Sequence, residues 1–162
     1  MPRSGGGLGC AHSRQRKLIM TARRFLYVDD DPAICRLVKR FFELKFPTYE
    51  VIAVAGAAEA LQELRRRRGG PEFPNALVTD FQLGPSGNGA ALVETVRAEF
   101  PNLRTVVVSG ASVRAQVQAS AHAGASAFVE KGMIQPFVDR LFELIQCPTA
   151  HLPPVTALLK PD

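Results

Sequence analysis

Phe25-Leu26-Tyr27-Val28-Asp29-Asp30-Asp31-Pro32 decides how this chain folds, and Ala76-Leu77-Val78-Thr79-Asp80 repeats its logic fifty residues later. Each is a short apolar run that ends in acid, and in the first a proline follows at once. A run so short and so uniformly apolar suits a strand buried on both faces, as in a parallel sheet, better than a half-exposed antiparallel strand. Asp31 before Pro32 is an N-cap followed by proline at the first helical position, so a helix should start there. Outward from these runs the pattern keeps alternating. Strands are expected at 25–29, 49–54, 76–80, 105–109 and 127–130, and helices at 32–45, 57–68, 89–99, 113–123 and 135–146. Pro47, Gly69-Gly70-Pro71, Pro101, Gly124 and Pro148 punctuate the helix ends. Strands alternating with helices imply βαβ units around one parallel sheet, a doubly wound α/β fold.

Length and composition agree. The 162 residues are 46% hydrophobic and hold 20 Lys+Arg against 15 Asp+Glu, a net charge of +5. With mean hydropathy of +0.02, neither wholesale disorder nor a membrane span is expected, and there is room for one domain with appendages. Residues 1–22 carry Arg3, Arg14, Arg16 and Lys17 and no acid, and are expected to be a disordered basic arm. Their apolar cluster, Leu18-Ile19-Met20, is too short for the core of a secretion signal. The domain proper is expected over 23–147, followed by a Pro-rich tail, 148–162, that runs over the surface or docks as an extended segment. Cys10, Cys35 and Cys147 lie far apart without Cys-x-x-Cys spacing, which favours a reducing cytoplasm over a disulfide framework or a zinc site. His12, His122 and His151 show no metal-ligand spacing. The run Arg65 to Arg68 reads as cations in the last turn of a helix.

The acids fall at strand ends. With strand order 2-1-3-4-5 the first and third strands are neighbours, and their carboxyl ends line the crevice in which such sheets bind ligands. Asp29, Asp30 and Asp80 should converge there. Three carboxylates in one crevice repel one another unless a hard divalent cation joins them, and oxygen-only ligands favour Mg²⁺. The fourth and fifth strands end in Ser109 and Lys131, a hydroxyl donor and a cation that could face the same crevice. An aspartate attacking phosphorus needs such groups to screen its charge and that of the phosphoryl oxygens.

Taken in order, 25–32, 76–83, Asn88-Gly89, Val106-Val107-Val108-Ser109-Gly110 and 123–131 resemble the receiver domain of two-component response regulators, over roughly Arg24 to Cys147. The resemblance implies the flavodoxin-like (βα)5 fold. It also implies a phosphoacceptor at Asp80 and a Mg²⁺ site made by Asp29, Asp30, Asp80 and the backbone carbonyl of Gln82. Ser109 and Lys131 would contact the phosphoryl group. Phe128 stands where the family places a rotating aromatic that, with Ser109, couples phosphorylation to the face of the fourth helix, fifth strand and fifth helix. A histidine kinase or phosphotransfer protein would be the donor, and a downstream protein would bind that face; homodimers also occur in the family. On this reading the chain is a single-domain response regulator without a DNA-binding domain. It is not an enzyme in its own right, though it assists its own phosphorylation and dephosphorylation. Gly132 stands where the family usually has proline after the lysine, the loop after Asp80 is a residue longer than usual, and Ala111 offers no water-orienting group.

Three other readings compete. A phosphorylation-independent binding module is motivated by Gly132 and the appended segments. A haloacid-dehalogenase-like phosphatase would use Asp29 and Asp31 as its Asp-x-Asp pair, but lacks a cap domain and has Ala33 where Thr or Val is needed. Nucleic-acid binding through the basic arm and Arg65 to Arg68 lacks interleaved aromatics.

Overall fold

The computed structural model describes residues 23–147 and 151–159; the proposed basic arm, 1–22, lies outside the described residues. The strands are β1 (Arg23–Val28), β2 (Tyr49–Val54), β3 (Ala76–Asp80), β4 (Arg104–Ser109) and β5 (Ala127–Glu130). The helices are α1 (Pro32–Lys45), α2 (Ala57–Arg67), α3 (Gly89–Glu99), α4 (Arg114–Ala123) and α5 (Ile134–Gln146). All five strands pair in parallel in the order β2-β1-β3-β4-β5, the flavodoxin-like arrangement expected from the sequence. Element boundaries differ from expectation by a residue or two. β1 begins earlier and stops before Asp29, because Arg23 and Arg24 pair with Tyr49 and Glu50 of β2.

The sheet is apolar on both sides because helices cover both. In β1, Phe25 and Tyr27 face a cluster with Val38 and Phe42 of α1 and Leu141 and Ile145 of α5. Leu26 and Val28 face the other way, toward Leu64 of α2 and Leu92 and Val96 of α3. Further along the sheet, Val107 and Phe128 face Val93 of α3 and Val117 of α4. Alternate residues of each strand thus enter opposite clusters, which explains why the runs show little polar alternation.

Local chemistry sets the helix starts that matter for the site. The Asp31 carboxylate accepts from the amides of Ala33 (2.8 Å) and Ile34 (3.4 Å), and Pro32 follows without an amide proton to satisfy. Asn88 caps α3 through the Ala91 amide at 2.9 Å. Gly124, at φ +85°, closes α4 in the left-handed conformation. Arg65, Arg66 and Arg67 end α2 and pair with Glu99, Glu63 and Glu72, as a helix-end role requires.

The tail departs from the extended segment expected. Val155–Leu158 forms a single 3₁₀ turn, and Val155 is buried against the α3/α4 side of the domain. Its prolines exclude regular helix and ladder pairing, but the apolar residues after them still find a cluster to join. No helix among the described residues is long and apolar enough to cross a membrane.

Candidate functional site

Parallel pairing of β1 with β3 sets Val28 beside Thr79, so the residues that follow emerge together at one end of the sheet. One carboxylate oxygen each from Asp29, Asp30 and Asp80 lies within 4.8 Å of the others. Lys131, just past β5, reaches across the top of β4 to join them. Its Nζ stands 2.7 Å from Asp29 Oδ2 and 3.3 Å from Asp80 Oδ2.

Asp29 is the structural centre of the group. Only 1% exposed, its carboxylate accepts from the Asp31 amide on Oδ1 (3.0 Å) and from both Lys131 and the Tyr27 hydroxyl (3.2 Å) on Oδ2. A buried carboxylate persists where such donors replace water. Tyr27 is wholly buried, and burial, then the neighbouring Asp29 charge, push its phenol far above the usual range, so it serves as a neutral donor. Cys35 lies beneath, its thiol donating to the Asp29 carbonyl at 3.3 Å. Burial and the Asp29 charge raise that thiol to about 11, so it remains protonated.

Asp80 is less enclosed, with 14% of its side chain exposed. Burial raises its pKa; the Lys131 charge opposes this and the Asp29 charge reinforces it. The backbone amide of Gln82 also acts to lower the Asp80 pKa, against the effect of burial. The loop that follows is clamped onto α3: Gly89 donates to the Phe81 carbonyl at 2.7 Å and Leu83 to the Gly87 carbonyl at 3.1 Å. Neither bond uses the carbonyl of Gln82. Two glycines permit the close approach. A Cβ at Gly89 would lie 2.2 Å from the Asp80 carbonyl oxygen, and one at Gly84, where φ is +56°, would lie 2.8 Å from Asp30 Oδ2.

Ser109 ends β4 beside the site, 5% exposed, and its hydroxyl donates to Gln116 Oε1 on α4 at 2.6 Å. The structure therefore brings Asp29, Asp30, Asp80 and Lys131 into one group and holds the Ser109 hydroxyl on a helix residue to one side. Phe128 is buried within the α3/α4 cluster. Asp31 is committed to capping α1, which removes the second acid of the phosphatase reading.

The donor set fits a hard divalent cation. All the candidate ligands are oxygens, and three carboxylates with one ammonium leave −3 + 1 = −2. Tyr27 and Gly89 act on this group, and Gln116 on Ser109 beside it, yet the sequence does not mark them as site residues. Only Gly89 carried a signal, as part of the Asn88-Gly89 pair.

The profile of the response regulator receiver domain matches residues 25–143. The chain belongs to that family. This receiver is similar to the CheY-like receiver domain protein of Methanospirillum hungatei JF-1 at 30% identity and a TM-score of 0.64, over 76% of this chain and 93% of that one. A response regulator of Chloroflexus aurantiacus J-10-fl matches at 26% identity and TM-score 0.64, over 77% and 98% of the two chains. A Burkholderia pseudomallei response regulator, solved with a phosphorylated aspartic acid, calcium ion and citrate, shares the fold at 22% identity and TM-score 0.65, over 86% and 75%. No curated protein matches.

Proposed function

We propose that this receiver accepts a phosphoryl group on Asp80 from the phosphohistidine of a kinase or phosphotransfer protein and signals through altered protein contacts. The observation that carries the reading is the meeting of Asp29, Asp30 and Asp80 within 4.8 Å with Lys131 bridging two of them. In the transfer an Asp80 carboxylate oxygen forms a bond to phosphorus as the phosphorus–nitrogen bond of the donor breaks, and the electron pair leaves with the imidazole. Partial burial strips water from the Asp80 carboxylate, while Lys131 holds it in place. Asp29 and Asp30, with Asp80 and the Gln82 carbonyl, are the groups that would hold Mg²⁺, which when bound screens the charge of the phosphoryl oxygens. Lys131 neutralises part of the charge that builds up.

The same reading gives Ser109 its second position. Its hydroxyl exchanges Gln116 for a phosphoryl oxygen, α4 loses that bond, and Phe128 repacks in the cluster beneath. Both states need differ by only a few kcal/mol for such a change to act as a switch. The receiver unit is taken as 23–147, with the following segment docked on it.

Reductive trapping tests the assignment. After incubation with a phosphorylated histidine kinase and Mg²⁺, borohydride converts an acyl phosphate at Asp80 to homoserine, which peptide mass mapping locates. Homoserine at position 80 is expected; its absence there, or its appearance at Asp29 or Asp30, contradicts the reading.

A further inference from the structure

Residues 151–159 lie against the domain. Leu152 packs on the cluster of the α1/α5 face, whereas Val155 and Leu159 pack on the cluster of the α3/α4 face. The segment shares a cleft with Arg97 of α3, Ala121 of α4 and Ala125 and Ser126 just ahead of β5, the edge strand, and so straps that side of the domain. Val155 is only 6% exposed although it belongs to a nine-residue stretch with no strand pairing of its own. Pro153 and Pro154 stiffen the approach, which reduces the entropy lost when the turn docks.

The helix at the centre of this contact, α4, buries little of its own surface. α4 buries only Val117 and Ser120, where α5 buries five residues. Val117 shares its cluster with Val155 and Phe128. Its neighbour Gln116 holds the Ser109 hydroxyl, and the Gln116 carbonyl accepts from Ser120 at 2.7 Å. One turn of α4 thus touches the phosphorylation site on one side and the strap on the other.

We propose that the surface formed by α3, α4 and the residues leading into β5 is a docking site for a short, proline-led apolar segment, that residues 151–159 occupy it in cis, and that Gln116 transmits the state of Ser109 to this occupancy. The last part rests on the phosphoacceptor reading above. When Ser109 turns to a phosphoryl oxygen, α4 loses its side-chain hydrogen bond to β4, the floor under Val155 shifts, and the strap loosens. A partner carrying the same kind of segment then gains access.

The test uses the full chain and a fluorescent peptide of residues 150–160, Ala-His-Leu-Pro-Pro-Val-Thr-Ala-Leu-Leu-Lys. Val155→Asp should empty the site in cis, so the peptide should bind that variant at least about tenfold more tightly than wild type, the scale set by burying one valine. Leu159→Asp, less buried, serves as a second variant should Val155→Asp melt early. Equal binding to wild type and both variants overturns the docking site. Hydrogen exchange tests the coupling without phosphorylation: Gln116→Leu should speed exchange of the 155–159 amides by roughly tenfold, and unchanged exchange overturns it. Phosphodonor with Mg²⁺ should do the same to wild type. A chain that takes the phosphoryl group on Asp80 with no change in strap exchange refutes the coupling. A chain that takes none refutes the phosphoacceptor reading, while the peptide and Gln116→Leu arms still decide the strap.

Discussion

Gly89→Ala isolates the contact between the acidic crevice and α3. The added Cβ would sit 2.2 Å from the Asp80 carbonyl oxygen and 3.0 Å from Thr79 Cγ2, against an ordinary contact beginning at 3.4 Å. Closing the larger shortfall, 3.4 − 2.2 = 1.2 Å, requires backbone to move against backbone, with no flexible side chain to give way. Overpacking of this kind costs about 1–3 kcal/mol, and two rigid partners place it toward the upper end. The hydrogen bond from the Gly89 amide to the Phe81 carbonyl is lengthened by the same movement. At roughly 4 °C per kcal/mol for a domain of this size, melting should fall by about 8–12 °C. Alanine in place of glycine on an open helix face would act the other way, stabilising by up to about 1 kcal/mol. The sign therefore separates the two situations. Differential scanning calorimetry with and without Mg²⁺ is the assay, and the variant should also gain less stability from Mg²⁺ than wild type because Asp80 is carried with its carbonyl. A melting temperature equal to or above wild type, with an unchanged Mg²⁺ response, would refute the reasoning.

Substitutions at three further positions probe the group from different sides. Asp80 has a folded-state pKa above its usual value, so the folded protein binds that proton more tightly than the unfolded chain; stability from this group is present at low pH and lost as pH rises through the shifted pKa. Without metal, Asp80→Asn should therefore melt above wild type at pH 7, with the difference shrinking as pH falls into the carboxylate range; a difference that grows on acidification contradicts this. Tyr27→Phe removes a hydroxyl that competes with any cation for Asp29 Oδ2, at a stability cost of about 1 kcal/mol, and isothermal titration should show tighter Mg²⁺ binding than wild type. Asp31→Asn keeps an N-cap acceptor for α1 and should leave both melting and phosphoryl acceptance unchanged, whereas Asp31→Ala should lose about 1 kcal/mol of stability and still accept the phosphoryl group.

How much of this was legible beforehand depends on how local each signal is. The sheet was readable because strands buried on both faces leave continuous apolar runs, and because Asp31-Pro32 and Gly124 mark helix ends by their own backbone chemistry. The acidic group followed from topology: once β1 and β3 are neighbours, Asp29, Asp30 and Asp80 have nowhere to go but one crevice. Tyr27 was hidden because a tyrosine inside a strand reads as core, and only its length lets the hydroxyl reach Asp29. Gln116 was hidden for the opposite reason: a polar residue on a weakly amphipathic helix carries no pattern, and its partner lies seven residues back across a turn. The strap was half legible. Prolines announced that no regular element follows, but the cluster that receives Val155 is assembled from α3, β4, α4 and β5 and cannot be seen from the tail's own sequence.

The central claim is that the Asp80 carboxylate takes a phosphoryl group in a site that depends on a divalent cation and Lys131. Intact-protein mass after incubation with a small-molecule phosphodonor tests it most directly, comparing wild type, Asp80→Asn, Lys131→Ala and wild type with EDTA. A single phosphoryl adduct is predicted for wild type with Mg²⁺, none for Asp80→Asn or in EDTA, and a much reduced yield for Lys131→Ala. An adduct that persists in Asp80→Asn, or wild type that stays unmodified with every donor, would contradict the account.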